Sequence, residues 1–564
     1  MCAIAGVLHG EGSAEVLIRS LTHRGPDGVR VEALAHGSLA HARLSIIDLE
    51  GGWQPLHAAG STVVGNGEIY NYLELSRDHD LSQALTTGSD FEPLLHLYAQ
   101  EGPAAFSRLR GMFAFCLVGG DGRTWLVRDG FGIKPLYLLE HEGAVLFASE
   151  PRAFLEAGLL PRAADPGVAR DLVNLNYTLG QAAIFPGLIR MAPGEVIEVT
   201  PEGLVRHAPL TALPSLRAAS GGDEAALIAR LDAVLEDSVA VHQRSDVPYG
   251  LFLSGGIDSA AIASLMARLS SRPVSAFTCG FDVPGARDER TQAERLARAL
   301  NLDWHEVTFT EADFWRLLPK VAWALDDPTA DYATLPTYRL AEAARDSLTV
   351  VLTGEGGDEL FGGYGRYRRA LRPGWLGGRA ADPRPADAEV LARWRAASVP
   401  PPGLTRLQQA QWRDIATWLP NDLLLKLDRC LMANGLEGRT PFLDPEVAAF
   451  AFPLADRFKV RGRYGKWLLR RWLEGVCPAS DPWARKQGFT VPVEAWISPR
   501  ASEIAERIGR LSAVQQVCAP EAIARAFAPG GSAAWPLLFY AVWSQIHLAG
   551  ASPEDALRDC VGTL

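Results

Sequence analysis

Cys2 stands directly behind the initiator methionine, in MCAIAG, with no basic residue beside it. A thiolate is a strong nucleophile and needs a base close by. Removal of Met1 would free an α-amine on the same residue. An ordinary α-amine pKa of about 7.7–8.0 leaves a useful neutral fraction near pH 7, so no separate histidine is required. Three further stretches supply what such a nucleophile lacks. Arg43, in LAHARLSIIDLEGGWQPL, offers a planar fork matched to an α-carboxylate. Asn66 and Gly67, in VVGNGEIYNY, put a side-chain amide and a backbone N–H in one turn, the makings of an oxyanion hole. Asp90, in TTGSDFEPLL, falls at an expected helix start and suits an α-ammonium. Singly, Arg43 and Asp90 read equally well as salt-bridge partners and Asn66 as a turn former. Together they describe a site for an amino acid with a side-chain amide, which is glutamine.

A second chemistry lies in GLFLSGGIDSAAIASL. An apolar strand runs into Ser254, Gly255 and Gly256, and a helix begins near Asp258. Two glycines allow a tight turn whose N–H groups point one way, and the helix start adds partial positive charge. The result is an anion nest suited to pyrophosphate. It is not a Walker A loop, because no GK[ST] follows. Asp258 would face a magnesium ion. A second glycine turn, in VVLTGEGGDELFGGY, crowds Glu355, Asp358 and Glu359 into one short loop. Loops at strand C-termini of a parallel sheet gather at one crevice. One of these carboxylates would hold the metal and another would handle protons.

Two kinds of scaffold are expected to carry these residues. Up to about residue 200 the chain shows short apolar runs bounded by Gly, Asp or Pro: CAIAGVL, STVVGNGEI, MFAFCLV, TWLVRD, AVLFAS and EVIEV. GSDFEPLLHLYAQEG predicts a helix, with Ser89 and Glu92 as a capping box and Gly102 as its stop. APLTALPSLRAASGGDE, residues 208–224, has the composition of a linker. Beyond it strands alternate with helices, as in a parallel doubly wound sheet, and after about residue 400 the pattern is mainly helical. The predicted division is therefore 1–207, a linker 208–224, and 225–564.

Composition narrows the functional class. The 564 residues are 48% hydrophobic and 21% charged, ordinary for a globular protein. A net charge of −11 argues against a nucleic-acid partner. Seven scattered cysteines with no CxxC suggest neither a disulfide framework nor a zinc site. No signal-peptide pattern opens the chain, and WPLLFYAVW is too short for a membrane span, so it is read as a buried helix. A cytoplasmic enzyme is the expectation.

In order along the chain, MCAIAG, HRGPDG, AHARLSIIDLEGGWQPL, NGEIYNY, GSDFEPLL, RGMFAF and RDGFGIKPLY resemble the glutaminase half of the glutamine-hydrolysing asparagine synthetases, which are class II glutamine amidotransferases. LSGGIDS, TGEGGDELFGGY, LEGRTPFLD, GKWLLR and RKQGFTVPVEAW resemble their synthetase half. The resemblance implies an N-terminal nucleophile hydrolase αββα sandwich followed by a Rossmann-like PP-loop α/β unit with helical additions. It implies Cys2 as nucleophile, Asn66 and Gly67 as oxyanion hole, and Arg43, Ile47, Glu68 and Asp90 around glutamine. Ser254, Gly255, Gly256, Asp258 and Ser259 would cradle ATP, bordered by Phe252, Leu253, Cys279, Thr353 and Gly354. Asp258 and Asp358 would bind Mg2+, Glu355 would support adenylation and amination, and Lys466 would meet charge developing on the α-phosphate. The implied acceptor is aspartate, or another carboxylate in a specialised biosynthetic pathway. The implied partners are small molecules and a second copy of the chain, with no nucleic acid and no membrane. RDGFGIKPLY and YATLPTY are candidates for a wall between the halves. Asn434 and Gly438, in LMANGLEGRTPFLD, stand where more variable or charged neighbours are expected, and Thr353 precedes the Gly–Glu turn; none of the three is assigned to the acceptor pocket. Related amidotransferases that begin with cysteine, such as phosphoribosyl-pyrophosphate amidotransferase, lack SGGIDS.

Overall fold

The computed structural model describes residues 2–214, 222–283, 289–373, 375, 378, 382–383, 385–484, 491–531 and 533–563. Met1, part of the expected linker (215–221) and the RKQGFT segment (485–490) lie outside the described residues.

Two six-stranded antiparallel sheets come from the first 206 residues. One orders its strands Ile189–Arg190, Tyr137–His141, Ala144–Ala148, Ala3–Leu8, Gly37–Arg43, Gly28–Leu34. The other runs Gly203–Arg206, Val196–Thr200, Thr124–Arg128, Gly111–Val118, Ser61–Ile69, Leu56–Ala58. Strand residues alternate faces, and the alternation builds the layers. Ile4 and Leu8 meet Val64, Ala114 and Leu126 of the facing sheet, while Ala3, Ala5 and Val7 pack against an outer helical layer. Glu92–Glu101 covers the outside of the second sheet, where Leu94, Leu95 and Leu97 meet Phe113 and Phe115. The order is helix, sheet, sheet, helix.

The third sheet is parallel, ordered Asp303–Phe309, Ser275–Phe281, Tyr249–Phe252, Val350–Leu352, Glu437–Arg439. Chain order reverses between Tyr249–Phe252 and Val350–Leu352. Both glycine turns follow these two central strands, so they open side by side at the switch point, where open α/β sheets bind ligands. Helices flank the sheet and dominate after residue 400. Ala534–His547, which carries WPLLFYAVW, is a buried helix. No described helix is long and apolar enough to cross a membrane.

One local expectation fails. Ser89 and Glu92 form no capping box: the helix is capped at Phe91 without a side-chain bond. Glu92 instead accepts from the backbone N–H groups and hydroxyls of Thr86 and Thr87. Two threonines upstream compete for the carboxylate that the capping pattern assigned to the helix end. Gly102 does end the helix, at φ 61°.

Candidate active site

Strand pairing assembles the first pocket. Ala3 pairs with Ala42, so Cys2 and Arg43 adjoin at the ends of neighbouring strands. The Cys2 backbone nitrogen lies 3.3 Å from Asn66 Oδ1, and its Sγ lies 3.9 Å from the Leu44 carbonyl oxygen. The Asn66 Nδ2 is buried and has no partner among the described residues. A buried amide donor left unpaired is costly unless something occupies it in function. Gly67 sits at φ 135°, and a Cβ there would collide with the Met112 carbonyl oxygen, so only glycine keeps the strand in register. Burial pushes the Cys2 thiol above its usual range, so it needs a base to ionise it.

Arg43 is turned to its own loop, donating to the Leu49 and Asp48 carbonyl oxygens with its guanidinium over the Trp53 ring. It thereby holds the segment containing Ile47, which packs on the apolar cluster of Leu44 and Ile46. Asp90 accepts from the Ile69 N–H at 2.7 Å. Burial raises the Asp90 carboxyl to about 7. Glu68 is also raised well above the carboxylate range, by burial and then by Glu437 and Asp90. Its Oε1 lies 3.6 Å from the Arg439 guanidinium.

The second site forms around the paired glycine turns. Ile257–Leu269 is a helix capped at Gly256. Ser259 Oγ accepts from the Ser254 N–H at 3.2 Å, and Ser254 Oγ accepts from the Gly256 N–H at 3.1 Å. The Gly255 N–H donates to the Glu289 carboxylate at 3.2 Å, which places an anion on the turn. A Cβ on Gly354 would come within 2.8 Å of the Asp258 Cβ, so the second turn closes onto the first. Leu253 donates to the Phe277 carbonyl oxygen and accepts from the Thr278 hydroxyl. Phe252 packs at the edge of the adjoining apolar cluster, Cys279 is buried, and Thr353 donates to the Arg439 carbonyl oxygen.

Lys466 bridges this site. Its ammonium pairs with Asp258 and, at 2.6 Å, with Asp358. Burial opposes the charge, but the two carboxylates outweigh it and keep the ammonium protonated. Lys466 occupies the left-handed region at φ 56°, a strained setting that recurs at functional positions. A Cβ on Gly363 would collide with Asp358 and with the Lys466 stem, so glycine makes room for the bridge. Two converging carboxylates are hard oxygen donors of the kind magnesium takes.

Glu355 is raised by burial, against the lowering influence of Lys426, whose ammonium lies 3.9 Å away. Lys426 also pairs with Asp331 at 2.8 Å. Burial lifts Glu359 to about 8, and the Tyr364 hydroxyl donates to it. Asn434 and Gly438 make contacts of a packing kind. Asn434 donates to the Cys430 carbonyl oxygen at its own helix end, and Gly438 packs under Leu431 and Leu427.

Five residues beside these sites escaped the sequence reading. His41, two residues before Arg43 and paired with Ile4, is buried, held neutral by a pKa lowered to about 3, and without a partner at either nitrogen among the described residues. Lys426, Asp428, Glu437 and Arg439 come from LLKLDRCLM and LEGRTPFLD. For Lys426 and Asp428 the available signal was charge inside an otherwise apolar helical run; Glu437 and Arg439 lie on a three-residue strand that carries no such signal.

A thiol pocket with an unpaired amide and a switch-point anion nest in one chain define a glutamine amidotransferase joined to a PP-loop unit. Comparison agrees: the asparagine synthase model matches residues 230–546, and the glutamine amidotransferase domain model matches residues 1–208. The chain belongs to the asparagine synthase family. It is 30% identical to the glutamine-hydrolysing asparagine synthetase 1 of Bacillus subtilis, over 97% of each chain. It is 29% identical to the glutamine-hydrolysing asparagine synthetase B of Escherichia coli, over 90% of this chain and 85% of that one. A Penicillium rubens protein named amidase chyE is 33% identical over 62% of this chain and 54% of its own.

Proposed function

We propose that the enzyme transfers the amide nitrogen of glutamine to a carboxylate activated by ATP, giving glutamate, AMP and pyrophosphate; the family suggests aspartate, or another carboxylate of a specialised pathway, as the acceptor. The proposed division of labour assigns the glutaminase to residues 1–207 and the synthetase to 225–564.

The Cys2 α-amine, once Met1 is removed, takes the thiol proton. Sγ then bonds to the glutamine amide carbon, and Asn66 Nδ2 with the Gly67 N–H receives the oxyanion. Ammonia leaves, and water cleaves the thioester to glutamate. Arg43 and Asp90 would hold the α-carboxylate and α-ammonium. Arg43 would have to exchange its loop carbonyl partners for the substrate, and Asp90 ionises near neutrality. At the second site an acceptor oxygen attacks the α-phosphorus and pyrophosphate departs into the turn of Ser254–Ser259. Ammonia then bonds to the acyl carbon and AMP leaves. Glu355 accepts a proton from the incoming nitrogen, and Lys466 meets charge on the phosphate. Mg2+ held by Asp258 and Asp358 would neutralise the triphosphate. An apolar cluster joining Leu44, Ile46, Met112 and Ile133 to Leu443 supports an interior route for the ammonia. That matters because ammonium in water is no nucleophile.

The observation that carries this reading is the Cys2–Asn66 contact in the same chain as the switch-point turns that close on Asp258. Its test is Cys2→Ala, assayed with glutamine and with ammonium. Glutamine use should vanish while ammonium-dependent pyrophosphate release persists. Loss of both together would overturn the two-site scheme.

A further inference from the structure

A cavity of about 640 Å³ opens beside the second site. Pockets of this size commonly enclose ligands of drug-like dimensions, well beyond what a four-carbon amino acid fills. Two of its lining residues, Asp331 and Tyr364, bond to groups of the second site. Asp331 lines the cavity and holds the Lys426 ammonium at 2.8 Å, and that ammonium lies 3.9 Å from Glu355. Tyr364, also in the wall, donates to Glu359 at 2.7 Å.

Five aromatic side chains supply most of the ring surface in the wall, alongside four carboxylates and two arginines. Tyr177, Tyr332, Trp394 and Trp418 line it with Tyr364. The Arg366 guanidinium lies between rings, 4.2 Å from the Tyr364 centroid and 4.4 Å from that of Trp418. Its charge is met by Asp414 at 2.8 Å. The other lining carboxylates are also engaged: Asp422 accepts from the Trp418 indole and the Thr329 hydroxyl, and Asp382 pairs with Arg413. Arg369 is exposed at the mouth. Tyr332, 38% exposed, stands at the rim. Such a wall recognises a ligand chiefly by stacking and shape.

On the reading of the second site given above, we infer that the preferred acceptor is a carboxylic acid larger than aspartate that carries an aromatic or similarly flat body. Its carboxylate lies at the Lys426–Glu355 end, and its body stacks along Tyr332, Trp418 and the Tyr364–Arg366 pair. The bond changes are those already described: an acceptor oxygen takes the adenylyl group as pyrophosphate leaves, and ammonia then displaces AMP.

The test supplies full-length enzyme with ATP, ammonium and a panel: L-aspartate, N-benzoyl-L-aspartate, 3-(4-hydroxyphenyl)propanoate and indole-3-acetate. Pyrophosphate release and product mass are read. At least one aryl acid is expected to exceed aspartate by about tenfold in kcat/KM, and Tyr332→Ala and Trp418→Ala should each raise its KM by about tenfold. Trp418→Phe should retain most of the preference, and glutaminase turnover at Cys2 should not change in any of the three variants. If aspartate is preferred over every aryl acid and Tyr332→Ala leaves all acceptors unaffected, the inference fails while adenylation stands. If no acid, aspartate included, yields pyrophosphate, the adenylation reading itself falls and this inference with it.

Discussion

The Arg24 guanidinium donates to both oxygens of Asp428, at 2.7 and 3.1 Å, across 404 residues of sequence. Both side chains are buried. Arg24 Nε also donates to the Cys2 carbonyl oxygen at 3.3 Å, while Asp428 lies on the helix Leu424–Met432 that carries Lys426. One ion pair thus ties the Cys2 backbone to the helix that carries Lys426. Glu150 joins it through Arg24 at 2.8 Å and Arg429 at 2.7 Å, and Lys134 approaches Asp428 at 3.8 Å.

Removing one partner of a buried pair leaves an uncompensated charge, which costs about 3–5 kcal/mol. Asp428→Ala should therefore lose about that much stability in urea unfolding. A loss below about 1 kcal/mol would mean that Glu150 alone satisfies Arg24.

Lys466→Met keeps the apolar stem and deletes the charge between Asp258 and Asp358. Pyrophosphate release should fall by about 100-fold or more, the scale for losing a preorganised charge-stabilising donor. Glutaminase turnover should hold, because Lys466 belongs to the other site. Normal pyrophosphate release in this variant would remove Lys466 from the reaction.

Glu359 has its folded pKa raised to about 8 from an ordinary 4.5, chiefly by burial. A raised acid contributes stability fully below its unfolded pKa and loses it as pH climbs through the folded pKa. Wild-type stability should therefore decline from this group between about pH 4.5 and pH 8. Glu359→Gln cannot ionise and keeps an acceptor for the Tyr364 hydroxyl. Its unfolding free energy should match wild type near pH 4.5 and exceed it at pH 8. Parallel pH profiles would show that Glu359 is already charged in the folded protein.

Six of the twelve strands of the first two sheets, and the alternating core of the third, were legible because apolar runs with period two, or buried runs closed by glycine, are local signals; the half-exposed strand Gly28–Leu34 and the short Leu56–Ala58, Ile189–Arg190 and Gly203–Arg206 were among those that carry no such run. The layer around Cys2 could be read from MCAIAG and NGEIYNY for the same reason. What stayed hidden depends on long-range pairing. Lys426 joins Glu355 only because Glu437–Arg439 adds a fifth parallel strand beside Val350–Leu352, which brings the preceding helix to the second glycine turn. That strand is three residues long and carries two charges, so no periodicity marks it. The Ser89–Glu92 pattern failed for a different, local reason: Thr86 and Thr87 offered Glu92 more donors than the helix end did.

The central claim is that nitrogen released at Cys2 is spent on an adenylated acid. The direct measurement is the nucleotide product of full-length enzyme turning over glutamine, ATP and an accepted carboxylate, resolved by phosphorus NMR. AMP and pyrophosphate in equal amounts are expected, matched by the glutamate formed in the same samples. ADP and orthophosphate would contradict it, because they require attack at the γ-phosphorus and leave the Ser254–Ser259 turn without its pyrophosphate.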